Sequence, residues 1–175
     1  DKRNGGMKPR DKLETKRKRG MIDGVYCKGS VGDEINYKSI SNEELLELDV
    51  DVLVPAALGE VITPTNACDI KAKIILEISN GAVTLPAEEE LKKKNILVVP
   101  DVLVNAGGVM VSYYEYVQNL KNEKWTKKKV LNLLKRNMEK TFEEVWKMKS
   151  KKRTDLRTAS WIIALQNISK KTKIN

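Results

Sequence analysis

Three short apolar runs organise the middle of the chain, at 51–54, 74–78 and 96–99. Each is too continuous in hydrophobicity to leave one face in water, which predicts strands of a parallel sheet covered on both faces. Segments of helical character alternate with them. Ser41-Asn42-Glu43-Glu44 is a capping box, with Leu45, Leu46 and Leu48 supplying an apolar face. Thr63-Pro64-Thr65-Asn66 starts a short helix through Asp69. The segment 86–94 places glutamates early and lysines late, as the helix macrodipole prefers. Further on, 127–146 is a long amphipathic helix with Val130, Leu133, Leu134, Met138, Phe142, Val145 and Trp146 inward. A last helix, 155–169, turns Leu156, Ala159, Ile162, Ile163 and Leu165 to its core side. Near the N-terminus, 9–19 reads as a short basic helix between Pro9 and Gly20, and 25–36 as mostly loop.

The stretch 97–115 is the most informative. Pro100 ends the third strand, since proline cannot donate to a ladder. Asn105 is a good N-cap for the helix that follows. Gly107 and Gly108 stand inside its first turn, where each costs about 1 kcal/mol against alanine. Two readings account for them: a tight strand-to-helix turn, or a ligand that approaches the main chain at the positive end of the helix. The three strand ends carry Pro55-Ala56-Ala57, Ser79-Asn80-Gly81 and Pro100-Asp101. In an open α/β sheet such ends line one edge, and ligands bind along it. Asn80 and Asn105 are the candidate polar groups there, because an amide both donates and accepts and so suits a carboxamide.

Composition narrows the chemistry. With no histidine among 175 residues, His-based zinc sites, Ser-His-Asp triads and His general bases are excluded, and no metal site is expected. Cys27 and Cys68 have no motif spacing and read as free thiols in a reducing, cytoplasmic setting. No apolar run is long enough for a membrane span, and the polar start does not resemble a signal peptide. The net charge of +9 is uneven: +6 over 1–28, −9 over 29–120, +9 over 121–153 and +3 over 154–175. A nucleic-acid footprint is one reading of the basic blocks. The few aromatics do not interleave with the lysines as stacking platforms would, so solvated helix faces are the preferred reading.

Taken in order, several motifs resemble the glutamate dehydrogenase family, which includes the leucine, phenylalanine and valine enzymes. They are Leu48-Asp49-Val50-Asp51-Val52-Leu53-Val54-Pro55-Ala56-Ala57, Glu77 with Asn80-Gly81, Val98-Val99-Pro100-Asp101 and Asn105-Ala106-Gly107-Gly108-Val109 with Ser112-Tyr113. Val117-Gln118-Asn119 and Thr154-Asp155-Leu156-Arg157-Thr158-Ala159 extend the match. A spaced series of this kind is far more specific than one glycine pattern. The resemblance implies a truncated Rossmann-like three-layer αβα domain with a parallel sheet, its first βαβ units missing, followed by C-terminal helices. The expected divisions are a basic segment at 1–22, a partial NAD(P)-binding domain at 23–120, and helices at 121–175 that pack back toward a substrate domain.

The implied activity is oxidative deamination of L-glutamate to 2-oxoglutarate and ammonia with NAD or NADP, usually in a hexamer. By motif, Ala56 lies against the cofactor, Asn80 and Asn105 contact its nicotinamide end, and Val109 and Ser112 reach the substrate. Ser112 points toward the side-chain carboxylate, which favours glutamate over the leucine and phenylalanine substrates. The i,i+3 spacing of Val109 and Ser112 agrees, since it sets them on one helix face. Two departures stand out. Ile78 replaces a glycine of the family pattern. The glycine-rich segment with the catalytic lysine, its partner aspartate, the substrate-binding lysines and the Gly-x-Gly-x-x-Gly/Ala turn have no counterpart. The chain therefore reads as the C-terminal part of such an enzyme, with no catalytic residue of its own and no activity alone. A non-catalytic module that docks to a full-length dehydrogenase is the alternative, ahead of a basic nucleic-acid binder.

Overall fold

The computed structural model describes residues 40–172 together with Leu13 and Arg17, which are helical. The rest of the 9–19 helix and the 25–36 loop expected from sequence lie outside the described residues. Two compact units divide the chain, Asp1–Ser41 and Asn42–Asn175. The second holds the sheet and its helices.

Its elements run α1 (Asn42–Leu46), β1 (Val52–Leu53), β2 (Ile74–Leu76), α2 (Leu85–Lys93), β3 (Leu97–Val99), α3 (Asp101–Val104), α4 (Ala106–Lys121), α5 (Lys127–Lys152) and α6 (Leu156–Thr172). The strands form one parallel sheet in the order β1-β2-β3, with Val52 opposite Ile74, Ile74 opposite Leu97 and Ile75 opposite Val98. Successive strand residues face opposite sides. Ile75 and Val98 therefore join Ile62, Ala67, Ile70, Val83, Ala87 and Leu91 in a core under α2. Leu97 and Val99 turn the other way, onto Leu103, Val145, Leu156 and Ala159 of α3, α5 and α6. This is the expected α/β arrangement, helices on both faces of a parallel sheet. Among the described residues no helix is long and apolar enough to cross a membrane.

Four expectations are corrected. Among the described residues the sheet is not covered on both faces throughout: Val52 on β1 is 47 % exposed, because the second layer of helices packs over β3 and β1 stands at the edge of the three described strands. Residues 64–69 form turns rather than the expected helix. There the Asn66 side chain accepts from Thr63 N at 2.9 Å and donates to the Val61 carbonyl at 2.9 Å, so side-chain bonds displace the helical ladder. Phe142 and Trp146 stay about two-fifths exposed and stack on each other at 5.8 Å, while Val145 and Met148 take the inward stripe of α5. Leu165, 61 % exposed, likewise leaves the inner face of α6.

Candidate functional site at the carboxyl edge of the sheet

The strand ends are tied to one another. After β1, the Pro55 carbonyl accepts from Ile78 N and Ser79 N, both at 3.0 Å, and from Ser79 Oγ at 3.2 Å. The residue after it, Ala56, is exposed and lines a cleft of ≈ 590 Å³ with Leu53, Leu58, Glu60 and Asn66. Asn80 follows β2, and its neighbour Gly81 takes the left-handed φ of 60° that a glycine adopts without strain. Backbone packing here leaves no slack, since a Cβ on Gly59 would lie 2.8 Å from the Asn80 carbonyl oxygen.

Asn80 and Asn105, expected to act together, are in contact. The Asn105 amide donates to Asn80 Oδ1 at 3.0 Å across 25 residues of sequence. This bond uses one donor of Asn105 and an acceptor of Asn80. The Asn80 NH2 and the Asn105 Oδ1 remain as a neighbouring donor and acceptor. Val109, 75 % exposed, and Ser112 lie one turn apart on α4, the helix that Asn105 opens.

Asn105 does not cap α4 as expected. It keeps helical φ and ψ of −84° and −8° and makes no side-chain cap bond. The helical ladder runs on through this point: Asn105 N donates to the Asp101 carbonyl of α3 at 2.8 Å, and Gly108 N to the Asn105 carbonyl at 3.2 Å. The free helix end therefore lies a turn earlier, at Asp101, whose carboxylate accepts from Val102 N at 2.7 Å. The two glycines have different reasons. A Cβ on Gly107 would meet Leu134 Cδ1 at 3.4 Å, so this position serves close packing of α4 on α5. Gly108 faces open space. Gly108→Ala is therefore expected to raise stability by about 1 kcal/mol, the helix-propensity gain, read from a denaturant midpoint. Unchanged or lower stability would show a packing demand at this position.

Beneath the amide pair lies a group that sequence reasoning gave no role. Glu77, at the end of β2, is fully buried. Its Oε1 accepts from Val83 N at 2.7 Å, and its Oε2 from Asp101 N at 3.2 Å. Arg157, in the first turn of α6, reaches three carboxylates at once. Its Nη2 donates to Glu77 Oε2 at 2.5 Å, Nε to Glu88 Oε2 at 2.6 Å and Nη1 to Asp101 Oδ1 at 3.1 Å. The other Asp101 oxygen accepts from Gly81 N at 2.8 Å. Burial pushes the Glu88 carboxyl above its ordinary pKa, against the pull of Arg157, and its buried Oε1 has no partner. Burial also works against the Arg157 charge, but the bonds and charges of Glu88 and Glu77 outweigh it and hold the guanidinium's pKa up. Asp155 starts α6 by accepting from Thr158 N at 2.6 Å and Thr158 Oγ1 at 3.0 Å. Burial opposes its charge, and these bonds more than offset that, leaving its pKa lowered. Among the described residues no group of three His, Cys, Asp or Glu is placed to hold a metal ion.

A parallel sheet with helices on both faces and polar side chains gathered at its carboxyl edge defines an open α/β protein of the kind that binds ligands at that edge. The sequence pattern of the Glutamate/Leucine/Phenylalanine/Valine dehydrogenase family matches residues 3–175, and the chain belongs to that family. It is 51 % identical to a glutamate dehydrogenase of Thermotoga maritima over 134 residues, 77 % of this chain and 32 % of the relative. It is 43 % identical to an NADP-specific glutamate dehydrogenase of Synechocystis over 157 residues, 90 % of this chain and 37 % of the relative. The fold is similar to that of the hetero-hexameric glutamate dehydrogenase from Thermus thermophilus, with a TM-score of 0.82 at 24 % identity, covering 95 % of this chain and 37 % of that one. The chain thus spans about a third of the length of the curated relatives it matches.

Proposed function

We propose that the chain supplies the nicotinamide-facing part of an NAD- or NADP-dependent glutamate dehydrogenase, in which L-glutamate is converted to 2-oxoglutarate and ammonia. The observation that carries this reading is the Asn105–Asn80 bond of 3.0 Å at the carboxyl edge. It leaves an amide donor and an amide acceptor side by side, the complement of a carboxamide. When bound, the dinucleotide would supply the hydride acceptor. This chain's residues would orient the reaction: Asn80 and Asn105 fix the nicotinamide plane, and Ala56 leaves room for the cofactor at the end of β1. On α4, Val109 walls the substrate while the Ser112 hydroxyl donates to its distal carboxylate. Such positioning lowers the barrier by holding reacting atoms at attack distance. The sheet-bearing part, 23–120, belongs in this reading to the cofactor domain, and the helices of 121–175 face the substrate domain. Assembly as a homo-hexamer in the cytoplasm completes the proposal.

These 175 residues alone are proposed not to turn over glutamate, because the acid–base lysine of the family pattern has no counterpart in them. The binding step has its own test. With the Asn side chains labelled, titration with nicotinamide mononucleotide is expected to shift the side-chain amide signals of Asn80 and Asn105. Asn80→Ala should abolish the response at Asn105. Shifts confined to other parts of the chain, or none into the millimolar range, would sink the reading. Glutamate-dependent NAD(P)H formation by the pure chain would sink the claim of inactivity alone.

A further inference from the structure

We propose that Arg157 is a positioning residue for the nicotinamide site, holding the Asn80–Asn105 pair through the carboxylates of Asp101 and Glu77. This rests on the reading of that pair given above. The route is short and runs through hydrogen bonds alone. Asp101 stands between the two asparagines: its Oδ2 accepts from Gly81 N at 2.8 Å, next to Asn80, and its carbonyl accepts from Asn105 N at 2.8 Å. Glu77 secures both flanks of this arrangement, accepting from Asp101 N at 3.2 Å and from Val83 N at 2.7 Å. Two carboxylates thus grip the loop that carries Asn80 and the turn that carries Asn105. Set so close, they repel unless one cation bridges them. Arg157 is that bridge, with separate N–H groups on each and a third on Glu88.

The geometry asks for arginine in particular. Only the planar guanidinium fork presents donors to several carboxylates in one fixed arrangement, whereas an ammonium is a point charge on a flexible stem. Arg157 belongs to α6, which is 56 residues from Asp101 and 80 from Glu77 in sequence. The placement of α6 is therefore expressed at the amide pair. The helix that packs under the sheet end is also the one that sets the ligand-facing groups above it.

The test uses the full chain and two readouts. The first is hydrogen exchange at the Gly81 amide with the side-chain signals of Asn80 and Asn105, which needs no ligand. The second is affinity for nicotinamide mononucleotide. Arg157→Lys keeps the positive charge, and is expected to fold, to exchange Gly81 about tenfold faster and to bind about tenfold more weakly, the loss of one charge-assisted bond. Leu156→Val, which loosens α6 packing without touching a carboxylate, should retain both properties. Should Arg157→Lys not fold, Asp101→Asn gives the same readouts, since it can still accept from Gly81 N but no longer attracts Arg157. Native Gly81 protection and native affinity in the Arg157 variant would overturn the proposal, as would equal losses in Leu156→Val. If the native chain does not respond to nicotinamide mononucleotide, the reading of the site falls, and the Gly81 and side-chain signals still decide whether Arg157 holds the pair.

Discussion

Replacing Arg157 by methionine is expected to destabilise the folded unit by about 3–5 kcal/mol, the range for removing one partner of a buried ion pair. Methionine fills much of the same volume, so packing changes little and the charge is what is lost. Glu77, with no exposed surface, would keep only its backbone donors from Val83 and Asp101. Asp101 would face it across a short gap with no cation between them. Glu88 would lose the one bond that its carboxylate makes, having already a buried oxygen without a partner. Urea unfolding followed by circular dichroism reads the effect directly. A change below about 0.5 kcal/mol, the size of an ordinary surface substitution, would show that the cluster contributes nothing net. The loss should be smaller in Arg157→Lys, which retains a charge for at least one carboxylate. That ordering separates the electrostatic account from a purely steric one.

The same cluster marks the limit of what the chain discloses before it is folded. The parallel sheet was legible because 51–54, 74–78 and 96–99 are short, largely apolar runs without the apolar–polar alternation of a half-exposed strand. The link between Asn80 and Asn105 was legible in outline, since both follow predicted strand ends that a parallel sheet brings to one edge. Their direct bond was not, because it depends on Asn105 abandoning the N-cap role that its position favours. α3 accompanies that change: with a helical turn already in place ahead of it, Asn105 keeps helical φ and ψ, makes no side-chain cap bond, and its amide donates to Asn80 instead. Arg157 was hidden for another reason. It stands in a motif that marks the family and in the first turn of a helix, where nothing says what an arginine bonds, and its partners stand 56, 69 and 80 residues away. One signal did exist. Glu77 interrupts the apolar run of β2, and a carboxylate in such a place must be paired or neutralised. That required a distant cation without saying which of the 33 lysines and arginines it is. The exposure of Val52, Phe142 and Trp146 was illegible because periodicity gives the face of an element but not whether another element arrives to cover it.

Gly59→Ala is expected to cost about 1–3 kcal/mol, as overpacking of a tight site does, and to dissolve the amide pair as well. The added methyl carbon would lie 2.8 Å from the Asn80 carbonyl oxygen and 3.6 Å from that of Gly81. Both neighbours are backbone, so no flexible side chain can swing away. The next residue leans on the same loop, with Glu60 N donating to the Gly81 carbonyl at 2.7 Å. The loop is held from the other side by Asp101 through Gly81 N, and the strain cannot spread evenly. The Glu60 bond keeps the 59–60 turn on the loop, so Asn80 moves and its side chain leaves Asn105. Gly81 offers the contrast. A Cβ there meets nothing within 4 Å, yet φ is 60°, so alanine is strained by backbone conformation alone, at about 1–2 kcal/mol. Asparagine tolerates that region, and Gly81→Asn should keep both stability and the Asn80–Asn105 signal. The discriminating measurement is the Asn105 side-chain amide resonance in each variant beside its unfolding midpoint. Loss of the signal in Gly59→Ala with retention in Gly81→Asn would mean that close backbone approach, rather than glycine's conformational freedom, sets the position of the amide at residue 80. A native signal and native midpoint in Gly59→Ala would mean that the loop has room to yield, and that the carboxylates beneath it fix Asn80 unaided.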